Sequence, residues 1–189
     1  MKKIIILDKN KKEEKNINIK ENKEEKTREI IKNVLSDISL SNFLEDSFDN
    51  HNKQQILVSN LFMNNDFCEK KFLVSELKKK ISSYQSQDIK KNFHEKENLI
   101  TLNNVIEKLY NCNLFCYYCN CKIFILFKNV RYKKQWTLDR INNYDEHTNS
   151  NTIISCLECN LQRRRKNSDK FLFTKRLETN QITINKLSI

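Results

Sequence analysis

Cys116-Tyr-Tyr-Cys119 and, after 36 intervening residues, Cys156-Leu-Glu-Cys159 frame the stretch of sequence whose reading decides the fold. Each pair has the spacing at which two thiolates reach one cation. Together the two knuckles offer four sulfurs that can close a tetrahedron around Zn²⁺ at about 2.3 Å. A dithiol redox site is the alternative, but such motifs sit beside a strand–helix–strand unit, and none is visible here. Cys112 and Cys121 lie close enough in sequence to replace Cys116 or Cys119 as ligands, so the set of four stays open at this point. Cys68 is distant and reads as a small apolar residue.

Between the knuckles, Lys122–Phe127 and Trp136–Ile141 are β-prone runs that read as paired strands. Residues 142–151 form an Asn-rich loop, and Thr152–Ser155 leads into a helix expected to start near Leu157 and continue through Arg163-Arg164-Arg165-Lys166. With no Gly in the chain, Asn142, Asn143 and Asp145 are the residues expected to supply any left-handed backbone in that loop. A strand–strand–helix module of roughly 65 residues buries little apolar surface, which is why small domains take a metal or disulfide staple. Upstream, Leu99, Leu102, Val105, Ile106 and Leu109 fall on one face of a helix over about Glu97–Asn111. Helical spacing also marks Ile30, Ile31, Val34 and Leu35; Ile56, Leu57, Leu61 and Phe62; and Phe72, Leu73, Leu77 and Ile81. The expected organisation is a charged tail over 1–25, a mainly helical region over 26–111 and the cysteine module over 112–189, an α+β chain.

The chain has no Gly, Pro or Ala. Their codons are GC-rich, so an AT-rich coding sequence accounts for the three absences and for the excess of Lys, Asn and Ile. The total charge of +11 is therefore less informative than its distribution. Residues 1–110 carry 21 Lys+Arg against 18 Asp+Glu, and residues 111–189 carry 14 against 6. Six of the seven arginines lie in the second part. Arg grips phosphate bidentately, so Arg163, Arg164, Arg165 and Lys166 are candidates for contacting a nucleic-acid backbone. The bland alternative is a solvated helix face. The apolar run Ile4–Leu7 is too short for a signal peptide, and no stretch reaches the 18 or so apolar residues of a membrane span. Clustered cysteines without a secretory signal imply an intracellular protein, neither secreted nor membrane-bound.

The residues Trp136-Thr-Leu-Asp-Arg-Ile-Asn-Asn-Tyr-Asp-Glu-His-Thr-Asn-Ser-Asn-Thr-Ile-Ile-Ser-Cys156, continuing as Cys159-Asn160-Leu-Gln-Arg163, resemble the HNH, or His-Me finger, endonucleases with a ββα-metal fold. The likeness is greatest to the phage and large-virus subgroup and covers about Cys112–Arg176. It implies a metal-dependent DNA endonuclease of a virus or mobile element, with structural Zn²⁺ and a catalytic Mg²⁺ or Mn²⁺. By the same resemblance Asp139 and Asn160 ligate the catalytic ion, and Asn151 ties the loop between strand and helix. The family's usual His after the metal-binding position is Arg140 here, which stays protonated and is assigned to the scissile phosphate. His147, a few residues later, is then the general base, since imidazole titrates near neutral pH. The Gly that usually precedes this His is Glu146. Two other classes compete: a catalytically inactive zinc-stapled DNA-binding module, and an interaction adaptor whose zinc is purely structural.

Overall fold

The computed structural model describes residue 27 and residues 38–93 and 99–187. The expected tail and the segment around Ile30–Leu35 lie outside the described residues. Among the described residues four helices precede the cysteine module: α1 (Ile38–Ser47), α2 (His51–Phe62), α3 (Lys70–Lys90) and α4 (Leu102–Asn111). They are followed by β1 (Trp136–Arg140), β2 (Thr152–Cys156), α5 (Leu157–Arg163) and α6 (Ser168–Leu187). Among the described residues this is a helical set joined to a small two-stranded antiparallel sheet, an α+β architecture with a cysteine cluster in the C-terminal half. Among the described residues no helix is long and apolar enough to cross a membrane.

β1 pairs with β2 in the register Trp136↔Cys156 to Arg140↔Thr152. The expected partner, Lys122–Phe127, makes only isolated bridges, Phe115↔Lys122 and Phe124↔Gln135. The reason is a competing side chain. Buried Gln54 on α2 accepts from the backbone N–H groups of Ile125 (2.7 Å) and Leu126 (3.0 Å) and donates to the carbonyls of Leu126 (3.0 Å) and Ser47 (2.8 Å). Those main-chain groups are satisfied by an amide, and no ladder is needed.

All five side chains of β1 are buried, so the strand lacks the in–out alternation of a half-exposed sheet. α3 covers one face. Lys80, Tyr84 and Asp88 recur every four residues, about 6.0 Å along a helix, and meet alternate β1 residues, about 6.6 Å apart along a strand. Lys80 lies over the Trp136 ring, the Tyr84 hydroxyl accepts from Leu138 N–H at 3.0 Å, and Asp88 pairs with Arg140 at 3.6 Å. α5 packs on the other face, where Thr137 and Asp139 point.

Two helix boundaries differ from the periodicity. α4 begins at Leu102 because Thr101 caps it, in a reciprocal pair with Asn104; Leu99 instead bridges Thr148. α5 stops at Arg163, where Arg164 takes φ 51°, so the arginine run breaks the helix and α6 starts anew at Ser168. Left-handed residues fall at Asp49, Asn64, Asn92, Asn113, Leu114, Asn120 and Arg164. None is in the 142–145 loop. Asn and Asp occupy five of these seven positions, the role glycine fills in other chains.

One hydrophobic cluster runs from Leu57 and Leu73 of the helices through Leu109 to Leu138, Ile154 and Phe171. Gln54 is the polar tie inside it. Gln54→Ala strands two N–H groups and one carbonyl of residues 125–126, each costing about 1–3 kcal/mol when left unsatisfied. A loss of about 3 kcal/mol is expected in urea unfolding, with helices and cysteine module melting together; a loss under about 1 kcal/mol contradicts the tie.

Candidate metal centre and nucleic-acid interface

The first knuckle is a tight turn. Cys116 N–H donates to the Cys121 carbonyl and Asn120 N–H to the Cys116 carbonyl, both at 2.9 Å, while Asn120 takes φ 54°. Tyr117 N–H reaches the Ile154 carbonyl at 3.1 Å and ties the knuckle to β2. The second knuckle is the β2–α5 junction, with Cys156 as N-cap. The sulfurs of Cys116, Cys119, Cys156 and Cys159 all lie within 4.8 Å of one another. The Cys119 and Cys156 sulfurs are 3.9 Å apart. A tetrahedron of Zn–S bonds of about 2.3 Å has edges of about 3.8 Å, so this cluster could bind a metal such as zinc. Backbone N–H groups of Cys156 and Cys159 point at the Cys116 and Cys156 sulfurs, at 3.2 and 3.3 Å, which favours the thiolate form. Cys112 lies outside the cluster, its thiol turned to the Leu109 carbonyl. Burial raises its pKa.

The pleat of β1 divides the other candidate residues between two faces. On the α5 face, Asp139 Oδ2 accepts from Arg163 Nε (2.6 Å) and the Tyr118 hydroxyl (2.8 Å), and Oδ1 from Arg163 Nη2 (2.8 Å). Arg163 is fully buried and also holds the Arg140 and Lys166 carbonyls and Asn143 Oδ1. Burial opposes its charge, but Asp139 outweighs that and raises its pKa. Burial, with the Asp139 charge beside it, pushes the Tyr118 hydroxyl up, so it stays a donor. Asn160, on α5, donates to Thr137 Oγ1 (3.2 Å) and the Leu138 carbonyl (3.3 Å).

A hard divalent ion at Asp139 and Asn160 would take oxygen donors. The Asp139 carboxylate is instead filled by a guanidinium fork and a hydroxyl, so these residues as arranged do not fit the ion. Arg163, expected on DNA, is corrected to an internal partner of Asp139: a side chain with no exposed surface cannot meet a phosphate.

On the α3 face, Asp88 gathers a second polar centre. It accepts from His147 N–H (2.8 Å) and from His147 Nδ1 (2.8 and 2.9 Å). Arg140 approaches it at 3.6 Å, stacks over Phe93 and donates to the Asp145 carbonyl. Tyr84 packs on the imidazole at 4.9 Å. Because a carboxylate only accepts, Nδ1 carries the hydrogen. Burial lowers the His147 pKa from its ordinary 6.5 despite Asp88. His147 and Arg140 thus lie on the α3 face of β1, and Asp139 and Asn160 on the α5 face; the structure does not converge these four on one point. Asn151 ties the loop: its Oδ1 accepts from Asn142 N–H (2.8 Å) and its Nδ2 donates to the Asn142 and Glu146 carbonyls (3.0 and 2.9 Å).

The basic run splits three ways. Arg163 turns inward. Arg165 is exposed and lies near Lys91, whose pKa is lowered by burial and by neighbouring cations that include it. Arg164 and Lys166 line a groove between α5 and α6, joined there by Arg131 and Lys170. The groove's two acids are taken: Glu158 pairs with Lys133 at 3.4 Å and Glu178 with Lys175 at 2.8 Å. Among the described residues the other four cations have no acidic partner.

The sequence did not single out Tyr84, Asp88 or Tyr118. The spacing 80–84–88 was the available signal, hidden because Lys and Asp do not register in an apolar pattern. Comparison with family models, curated proteins and solved structures finds no match for this chain.

One thiophilic divalent ion per chain is expected by elemental analysis, and Cys156→Ser should lose it and unfold the module, since binding free energy in such sites is folding free energy. A variant that melts normally contradicts the assignment. The lowered His147 pKa sets a second expectation. A ring harder to protonate folded than unfolded contributes stability that is complete above pH 6.5 and is lost as pH falls from there towards the folded pKa. Urea melts between pH 7.5 and 5.5 should show that slope in the native chain and a smaller one in His147→Gln; identical slopes exclude it.

Proposed function

We propose that this chain is a DNA-binding protein of the HNH kind, in which four cysteines hold a structural Zn²⁺ and the stapled strand–strand–helix module presents cations to the phosphate backbone. The observation that carries this reading is the gathering of four acid-free cations, Arg131, Arg164, Lys166 and Lys170, from three segments onto one groove. Scattered lysines are what an AT-rich gene would supply; convergence on a groove whose acids are already neutralised is a surface arranged for polyanions.

Cleavage is the second reading, favoured by the strand–strand–helix order that brings Asp139 and Asn160 onto facing elements. It requires Arg163 to leave Asp139. Breaking a buried ion pair by removing one partner costs about 3–5 kcal/mol, which is why binding without hydrolysis stands first. If the Asp139 centre does open, Arg140 is available to offset phosphate charge. His147, held by Asp88, would serve as base only after moving from the α3 face.

The test pairs gel shift with plasmid nicking. Duplex DNA should bind with an affinity that falls steeply with salt. Arg164→Ala/Lys166→Ala/Lys170→Ala should flatten the log–log slope by about 0.9 per lost phosphate contact. An unchanged slope removes these residues from the interface. Nicking in Mg²⁺ or Mn²⁺ that Asp139→Asn abolishes, with zinc content unchanged, would establish the second reading over the first.

A further inference from the structure

The α5–α6 groove has a floor as well as a rim. Leu161 is 62% exposed there, with half-buried Leu157 beside it and buried Phe171 backing the groove beneath the cations. The space is about 1040 Å³, at or above the upper end of the roughly 300–1,000 Å³ of drug-sized ligand sites. A groove of that size has room for several linked units of a chain. An exposed leucine in a charged surface costs nothing notable on its own. An apolar floor bordered by four cations without acidic partners has a more specific consequence.

A duplex turns its phosphates outward and keeps its bases stacked inside. Seated on this groove it would pair with the rim and leave Leu161 uncovered. A single strand has the same phosphates and, in addition, base faces that can cover apolar surface. We infer that the groove between α5 and α6 is the seat of a single-stranded nucleic-acid segment, its phosphates on Arg131, Arg164, Lys166 and Lys170 and its bases over Leu161. The inference rests on the DNA-binding reading above and specifies the form of the partner. Both observations it needs, four cations without acidic partners and an exposed leucine on the floor, fall within one groove, and neither depends on the Asp139 or His147 centres.

The experiment uses the full, metal-loaded chain and fluorescence anisotropy with three probes of equal phosphate count per strand: a mixed-sequence single strand, an abasic single strand, and a blunt duplex of the first sequence. The mixed strand should bind about tenfold more tightly than the abasic strand, the effect of covering one leucine-sized apolar surface. It should also bind more tightly than the duplex. Leu161→Ser, a change on an exposed helix face, should lower affinity for the mixed strand and leave the abasic strand and duplex unchanged. Equal binding of mixed and abasic strands, a duplex bound as tightly as the mixed strand, or a silent Leu161→Ser each overturns the inference while leaving DNA binding intact. If none of the three probes binds, the DNA-binding reading falls and this inference with it.

Discussion

The pleat of one five-residue strand organises most of what this chain does. β1 is buried on both sides, so each of its residues must find a partner in the layer it faces, and the alternation of side chains decides which layer that is. Trp136, Leu138 and Arg140 are served by Lys80, Tyr84 and Asp88 of α3. Thr137 and Asp139 are served by Asn160 and Arg163 of α5. A slip of one residue would exchange the two sets and place Asp139 against Asp88, so the register is enforced electrostatically as well as by packing.

The two polar centres differ in how they handle charge. At Asp139 the carboxylate meets a guanidinium in fork geometry, with Tyr118 completing its acceptors. At Asp88 the carboxylate meets a histidine that burial holds neutral and an arginine at longer range. Removing either acid would leave a buried cation or an unpaired donor, so both centres restrict substitution whether or not any chemistry takes place there. Side chains of the types found in hydrolytic sites can thus be retained for structural reasons alone, and their presence in order along a sequence is compatible with more than one function.

The cysteine cluster was legible because two knuckles at fixed spacing can close on one ion in few ways, and the helices were legible from apolar spacing at 57–61 and 73–81. The strand pairing was not. Lys122–Phe127 has the composition of a strand, but its main-chain partners come from Gln54, some seventy residues upstream, and no local pattern encodes a side chain acting as a ladder. The arginine run misled for a related reason. Four adjacent cations look like one surface, whereas a helix that ends among them sends Arg163 inward, Arg164 and Lys166 to the groove and Arg165 elsewhere. Asp139 and Asn160 fall on facing elements, but Arg163 fills the carboxylate, a pairing across 24 residues that no local pattern encodes.

The approach to the first knuckle is held by α2. His51 Nε2 meets the Leu114 carbonyl at 3.0 Å, and Gln55 donates to the Asn113 carbonyl at 2.9 Å, just ahead of Cys116. Asn113 and Leu114 are both left-handed there, a backbone path that a leucine adopts only under constraint. Helix packing and cysteine convergence are therefore thermodynamically linked: whatever free energy the docked α2 lends to ion capture, the captured ion returns to the docking of α2. The metal affinity of such a cluster would be a property of the whole fold, and a substitution in α2, which supplies no sulfur, would alter the metal concentration at which the cluster fills.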